Sequence, residues 1–366
     1  MIVSLPPLAR RRVLGWMAGP LLLGGRGVAR AANAVPNPTA PVAAIPFPEG
    51  VTVLVAGPDG GGLCRWGEVM SAALGRALPS GTKVSTTCSG GIDGVTGANQ
   101  FEARVPPDGT TVLLIPGAAA LDWLVGDPRA HFDAGRWVPV MAGVAPAVVV
   151  VRPTVLPLAA GHVVRLAASA PAGPQLPALL GFDLLGAHLE PQFGLIEQDA
   201  AIAAFAAGKV DAVLACGANV PEQVARLQSA GGQPLFSLGT TGPSGVLGRD
   251  AAFGEVPTWA ELRALLHGAA PSGPRYDAYR AAAAATQLEF GLVLPQLTSA
   301  AIVALWRRAA DQAAAAPGVQ NLATAFTVRP LDGVAAAAAT TSVAADTAAL
   351  LDLRGWLATR FNWRPA

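Results

Sequence analysis

The chain has 366 residues, only 13% of them charged, and a formal net charge of +1. That balance supplies no basic face of the kind nucleic acid recruits, so nucleic acid is excluded as a partner. The length exceeds what one hydrophobic core usually serves and points to two domains, and the 52% apolar share leans on alanine, so it reads as a soluble exported protein rather than a membrane one.

The N-terminus carries Arg10, Arg11 and Arg12, an apolar run from Val13 to Leu23, and Ala32, Asn33 and Ala34. This is the order of an export signal, with cleavage expected after Ala34 and a periplasmic location. The paired arginines admit the twin-arginine route, and the general secretory route stays open beside it. The run falls short of the ~18 to 20 apolar residues of a membrane span; a retained N-terminal anchor is the alternative. Removal of residues 1–34 takes five arginines and no acids, leaving 20 basic against 24 acidic residues. Residues 35–48 are rich in Pro and Ala and read as a linker.

Val51–Ala56 is an apolar strand that runs into Gly57, Pro58, Asp59, Gly60, Gly61 and Gly62, then into a helical pattern from Arg65 to Leu78. A second short strand, Lys83–Thr87, leads into Cys88–Gly97, a turn containing Gly91, Ile92, Asp93 and Gly94, and then a helix ending near Val105. Pro106–Gly109 is a turn signature before a buried strand, Thr110–Ile115. Gly117–Leu121 is expected to be a third loop at the same sheet edge. Three strands alternating with helices imply a parallel sheet. Ligands of such sheets sit beyond the carboxyl ends of the strands, where helix N-termini offer unpaired N–H groups and glycine lets the backbone approach. The turns therefore suit a carboxylate; plain strand-to-helix punctuation is the other reading of the same glycines.

Trp137–Val151 holds two apolar runs separated at Ala145 and Pro146. Val164–Ala168 is a strand, and Ser169–Pro174 a loop entering a helix from Leu176. Helices are expected over Asp199–Ala207 and Pro221–Ser229, and strands over Val210–Ala215 and Pro234–Leu238. This alternation gives the middle stretch its own sheet, so the expected domains are 48–147 with 240–366, and 148–239. Thr258 and Glu261 form a capping box, Phe290–Leu294 is a strand, and Ser299–Ala316 a long helix. Alanine runs at 281–285, 313–316 and 335–339 are helix formers.

Cys64, Cys88 and Cys216 are the three cysteines. Cys64 and Cys88 flank the glycine turns and would pair if those turns face each other; buried free cysteines are the alternative. His131, His162, His188 and His267 stand in no metal-binding spacing. No nucleophile elbow or phosphate loop is present, so no catalytic residue, metal or cofactor is assigned and no enzyme is expected.

The order of these segments resembles the substrate-binding receptors of tripartite tricarboxylate transporters, the TctC or Bug family. Its first-loop motif, Pro-aromatic-Pro-Ala-Gly-Gly-x-x-Asp, matches Val55–Cys64, and its second, Gly-x-Gly-Gly-x-x-Gly, is similar to Gly91–Gly97. Pro107–Leu113, Gly208–Asp211 and Val256–Glu261 follow in the family's order. The resemblance implies an α/β, two-domain periplasmic-binding-protein fold, a Venus flytrap of type II-like plan with the ligand in the cleft. It further implies a monomeric receptor that captures a small carboxylate or amino acid and delivers it to membrane permease subunits. A binding-protein fold recruited as a sensory or interaction protein, with no transported ligand, is the alternative.

The implied ligand set is Pro58, Asp59, Gly60, Gly61, Gly62, Leu63 and Cys64 on the first turn and Gly91, Ile92, Asp93 and Gly94 on the second. Ala118 stands on the third, and Ser169, Ala170, Gln175 and Asp211 form the opposing wall, a strand-end aspartate capping a neighbouring turn being the other reading of Asp211. The family's loop aromatic is Gly57 here, its alanine Asp59 and its aspartate Cys64. Its third-loop hydroxyls are replaced by Ala118, Ala119 and Ala120, and its Tyr-Lys-Gly segment by Phe193–Leu195. An added carboxylate at Asp59 implies a ligand less anionic than a dicarboxylate; a solvated turn residue pointing away from the cleft is the other reading of Asp59.

Overall fold

The computed structural model describes residues 47–156, 158, 163–241 and 247–364. The export signal, nearly all of the expected linker, and His162 lie outside them. The first half of the chain runs β1 (Gly50–Ala56), α1 (Gly62–Ala77), β2 (Lys83–Ser89), α2 (Val95–Arg104), β3 (Thr111–Ile115), α3 (Gly117–Val125) and β4 (Val138–Val144). It then passes through β5 (Val148–Val151), β6 (Val163–Ala167), α4 (Leu176–Leu184), β7 (His188–Gln192), α5 (Gln198–Ala206), β8 (Ala212–Ala215), α6 (Val220–Ser229) and β9 (Gln233–Ser237). A short hairpin, β10 (Thr240–Thr241) and β11 (Leu247–Gly248), precedes α7 (Trp259–His267), α8 (Pro274–Gln287) and β12 (Leu288–Leu294). The chain closes with α9 (Ala300–Ala314), α10 (Pro317–Phe326), β13 (Arg329–Leu331), α11 (Gly333–Val343) and α12 (Thr347–Phe361).

Two mixed sheets share one plan. The first has the order β13-β4-β12-β3-β1-β2, with β1 parallel to β2 and β3, and β12 antiparallel to β3 and β4. The second has the order β7-β6-β8-β5-β9, with β6 parallel to β7 and β8, and β5 antiparallel to β8 and β9. In each, an antiparallel strand follows three parallel ones. The chain crosses between the sheets at Ala145–Ala147, where the Ala145 N–H donates to the Gln287 carbonyl (2.8 Å) and the Leu238 N–H to the Ala147 carbonyl (2.9 Å).

The apolar strands β1, β3 and β5 have the β-branched composition of strands buried on both faces. On the first sheet, Trp66, Met70 and Leu74 of α1 pack with Trp306 of α9 and Val319 of α10, while Phe101 of α2 meets Trp137 on the opposite face. Phe205 of α5 and Val224 and Leu227 of α6 cover one face of the second sheet. Its other face carries α4, α8 and α12, and Leu121 and Leu124 of α3 join the same core. Thr258 and Glu261 make both bonds of the capping box that starts α7.

Several expectations need correction. Gly117–Leu121 is the first turn and a half of α3, not a loop: a Cβ on Gly117 would come within 2.0 Å of the Ala285 carbonyl, so the glycine lets α3 dock directly on the α8–β12 junction. Ala118 is therefore a helical residue. The long helix expected to Ala316 ends at Ala314, and Pro317 at a first helical position opens α10. The edge strands β7 and β13, each carrying a proline, had no expected counterpart. Among the described residues no single helix is long and apolar enough to cross a membrane.

Candidate functional site: two glycine turns at one sheet edge

Parallel pairing brings Ala56, Ser89 and Ile115 to a common edge, so the residues that follow them are neighbours. The Gly57 N–H donates to the Ser89 carbonyl (3.0 Å), and the Gly61 N–H closes the first turn on the Pro58 carbonyl (3.1 Å). Gly94 lies at a φ of +78°, where a Cβ would meet Pro116 at 2.6 Å and the Ala56 carbonyl at 3.0 Å. Glycine at 94 thus lets the second turn rest on the first and third strand ends. Cys64 and Cys88 are joined in a disulfide, which straps the start of α1 to β2.

Pro58, Asp59, Gly60 and Gly62 are exposed, as are Gly91 and Ile92, the latter at 88%. Gly62, Leu63 and Cys64 open α1, so their N–H groups have no acceptor within the helix and face the positive end of its dipole. The second turn is different. Asp93 Oδ1 accepts from the Val95 N–H (3.2 Å), and Oδ2 pairs with Arg129 (2.8 Å). Asp93 thereby fills the anion position at the start of α2 with its own carboxylate and serves to hold the turn.

Arg129 also pairs with Asp127 (2.8 Å) and reaches Asp122 at 3.9 Å. Burial, reinforced by the charges of Asp127 and Asp93, raises the Asp122 pKa to about 6, whereas hydrogen bonds from Arg129 hold Asp127 below the usual carboxylate range.

On the second sheet, Gln175 Oε1 accepts from both the Ser169 N–H (3.1 Å) and Ser169 Oγ (2.9 Å), fixing the turn that contains Ala170. The Gly194 N–H donates to the Ser169 carbonyl (3.1 Å), and Thr286 Oγ1 donates to the Pro174 carbonyl (3.0 Å), tying the turn to α8. Asp211 belongs elsewhere. It precedes β8, at the amino end of that strand, where Arg165 binds its carboxylate through Nε and a terminal nitrogen, both at 2.7 Å, and through its backbone N–H at 3.1 Å. Burial pushes its pKa up, but the hydrogen bonds from Arg165 together with the charges of Arg165 and Arg152 leave it lowered on balance. Asp211 is a structural ion-pair partner and not part of the wall.

The turn after β8 does approach the first sheet: the Asn219 N–H donates to the Phe326 carbonyl at 3.3 Å. Cys216 in that turn is a free thiol whose pKa burial, with help from the charge of Glu289, pushes up to about 12. Burial likewise raises the pKa of Glu289, which lies beside Trp66. Sequence reasoning missed Glu289; the signal was a lone acid preceding the apolar run Phe290–Leu294.

No family model matches the sequence, and no curated protein does. Among solved structures, a TctC solute-binding protein from Polaromonas, without ligand, superposes with a TM-score of 0.62 at 16% identity, over 86% of this chain and 98% of that one. The periplasmic binding protein BugD gives 0.45 at 16% identity over 86% and 98%. MatC from Rhodopseudomonas palustris with bound malate gives 0.43 at 18% identity over 77% and 90%. The paired sheets and their strand order define the two-lobed α/β fold of a solute-binding protein. Within that class, the fold is the one seen in the TctC receptor.

Proposed function

We propose that the protein is an exported, periplasmic receptor that captures a small carboxylate-bearing solute and hands it to membrane permease subunits of tripartite tricarboxylate type. It acts as a monomer and without chemical turnover. One observation carries the reading: the two glycine turns lie at one sheet edge, cross-linked by Cys64–Cys88, with the open N-terminus of α1 beside them. Unpaired main-chain donors at a helix start bind carboxylate without a side-chain cation. Pro58–Cys64 form the main cradle, Gly91–Gly94 its second rim, and Ser169, Ala170 and Gln175 the facing wall; Ala118 contributes only the start of α3.

Isothermal titration against a panel of monocarboxylates, dicarboxylates and amino acids tests this. Saturable binding is expected, weakened at least tenfold by Gly94→Ala, whose Cβ pushes the second turn off Pro116. Asp211→Asn should lower stability by about 1–3 kcal/mol and leave affinity unchanged. If no carboxylate binds, the receptor assignment fails.

A further inference from the structure

A cavity of about 440 Å³ lies beside the passage between the sheets, apart from the glycine turns. Val144 and Pro146, on either side of Ala145, form one part of its wall, and Thr240, which follows β9, forms another. Ala323, Thr324 and Thr327 at the carboxyl end of α10 and the segment Arg249–Ala252 after β11 complete it. No residue of either glycine turn lines it, and β4 stands three strand spacings, about 14 Å, from β1. The volume is that of a small-molecule site, which runs from roughly 300 to 1,000 Å³. A void of about 20 Å³ adjoins it and shares Val144, Thr240, Asp250 and Arg329 with it.

Two of the three charged side chains on this wall are already engaged. Arg249 donates through Nε to both Glu261 oxygens (3.1 and 2.9 Å) and through a terminal nitrogen to the Gly254 carbonyl (3.0 Å). Asp250 accepts from the Ala252 N–H and from Thr240 Oγ1, both at 2.8 Å. Arg329 is the exception: among the described residues its side chain has neither a salt bridge nor a hydrogen bond. Strand pairing holds Arg329 level with Val144, the last residue of β4, and so fixes its place on the wall. A guanidinium with open donors takes both oxygens of a carboxylate or similar head group at once. Much of the remaining wall is apolar, from Val144, Pro146, Ala251, Ala252, Ala323 and Val328. Asp250 has no cation within salt-bridge distance, so its charge opposes a second negative group in the same space.

We propose that this cavity is a second binding site, taking an organic acid with a single anionic head and an apolar body. Arg329 receives the head, and the apolar wall receives the body. Aryl-alkanoates and medium-chain fatty acids share this chemistry. The site is separate from the glycine-turn cradle and does not depend on the receptor reading.

3-Phenylpropanoate and octanoate represent the two sources, and their primary amides, which keep the body and lose the charge, are the controls. Titrated calorimetrically into the full mature protein, at least one acid is expected to bind roughly tenfold or more tightly than its amide, and the tighter acid identifies the source. Arg329→Gln should erase that difference, and Arg329→Lys should keep part of it. The Thr324 hydroxyl donates to the Gln320 carbonyl of its own helix (2.9 Å), so Thr324→Trp should fill the cavity at little cost to the fold and abolish binding. Unchanged far-UV circular dichroism melts establish that the variants are folded. The inference is overturned if neither acid binds, if acid and amide bind equally, or if binding survives both Arg329→Gln and Thr324→Trp. Phenylsuccinate, a dianion, bound as tightly as 3-phenylpropanoate would overturn it too. Binding lost in Gly94→Ala but kept in the two cavity variants places the molecule in the cradle, which removes this site and leaves the receptor reading standing.

Discussion

Asp122, Asp127 and Asp93 share a single guanidinium, Arg129, and the sharing is unequal. Asp127 and Asp93 take the short contacts, and Asp122, half-buried in α3, is left with the long one. Its pKa is about 6 in the folded protein against 3.8 for the free side chain. A carboxyl group whose pKa rises on folding favours the native state while protonated, so its contribution is complete below about pH 4 and is lost as the pH climbs through about 6. Asp122→Asn should accordingly stabilise the protein at pH 7, on the order of 1–3 kcal/mol, and change little at pH 4. Urea denaturation at the two pH values measures the difference; equal effects at both would contradict it. Little of this was visible in the sequence, where Asp93 looks like a ligand contact and Asp211 like either part of the wall or a strand-end cap. Residue type and loop position were legible there, but the partners that commit a carboxylate, Arg129 36 residues from Asp93 and Arg165 46 residues from Asp211, are supplied by the fold.

At the scale of elements, the two turns and the strands and helices flanking them were readable because apolar runs, glycines and the capping residues Thr258 and Ser299 are local signals. The errors fell where a tertiary contact overrides the local pattern. Gly117 resembles a loop glycine, yet it starts a helix because α3 must touch the α8–β12 junction. The bulge at Glu289 depends on β4, which lies some 145 residues earlier in the chain. The covalent strap between α1 and β2 was open to either outcome until the turns were seen side by side. Its removal by a paired Cys64→Ser and Cys88→Ser change frees a segment of 24 residues, which corresponds to about 3 kcal/mol on a chain-entropy basis. The midpoint of chemical denaturation should fall accordingly, and ligand affinity should fall with it, because both rims of the cradle lose their common anchor. A variant with native affinity would show that the strap serves stability alone.

Over the whole molecule, the two-sheet plan was anticipated, but the extent to which the sheets share material was not. Leu121 and Leu124 follow β3 of the first sheet, yet they pack with Val149, Leu166 and Leu214 of the second, through Ala278, Ala282 and Leu353. A core held in common couples the unfolding of the parts that contribute to it. Differential scanning calorimetry of the ligand-free protein is therefore expected to give a single transition whose calorimetric and van't Hoff enthalpies agree; two resolved transitions would refute the coupling.

The passage from α8 into β12 has no intervening residue, since Gln287 ends one and Leu288 begins the other. A helix propped against the second sheet is thereby welded to the strand that carries Glu289. With no loop between them to absorb movement, any tilt of that sheet is passed through α8 straight into an interior strand of the first.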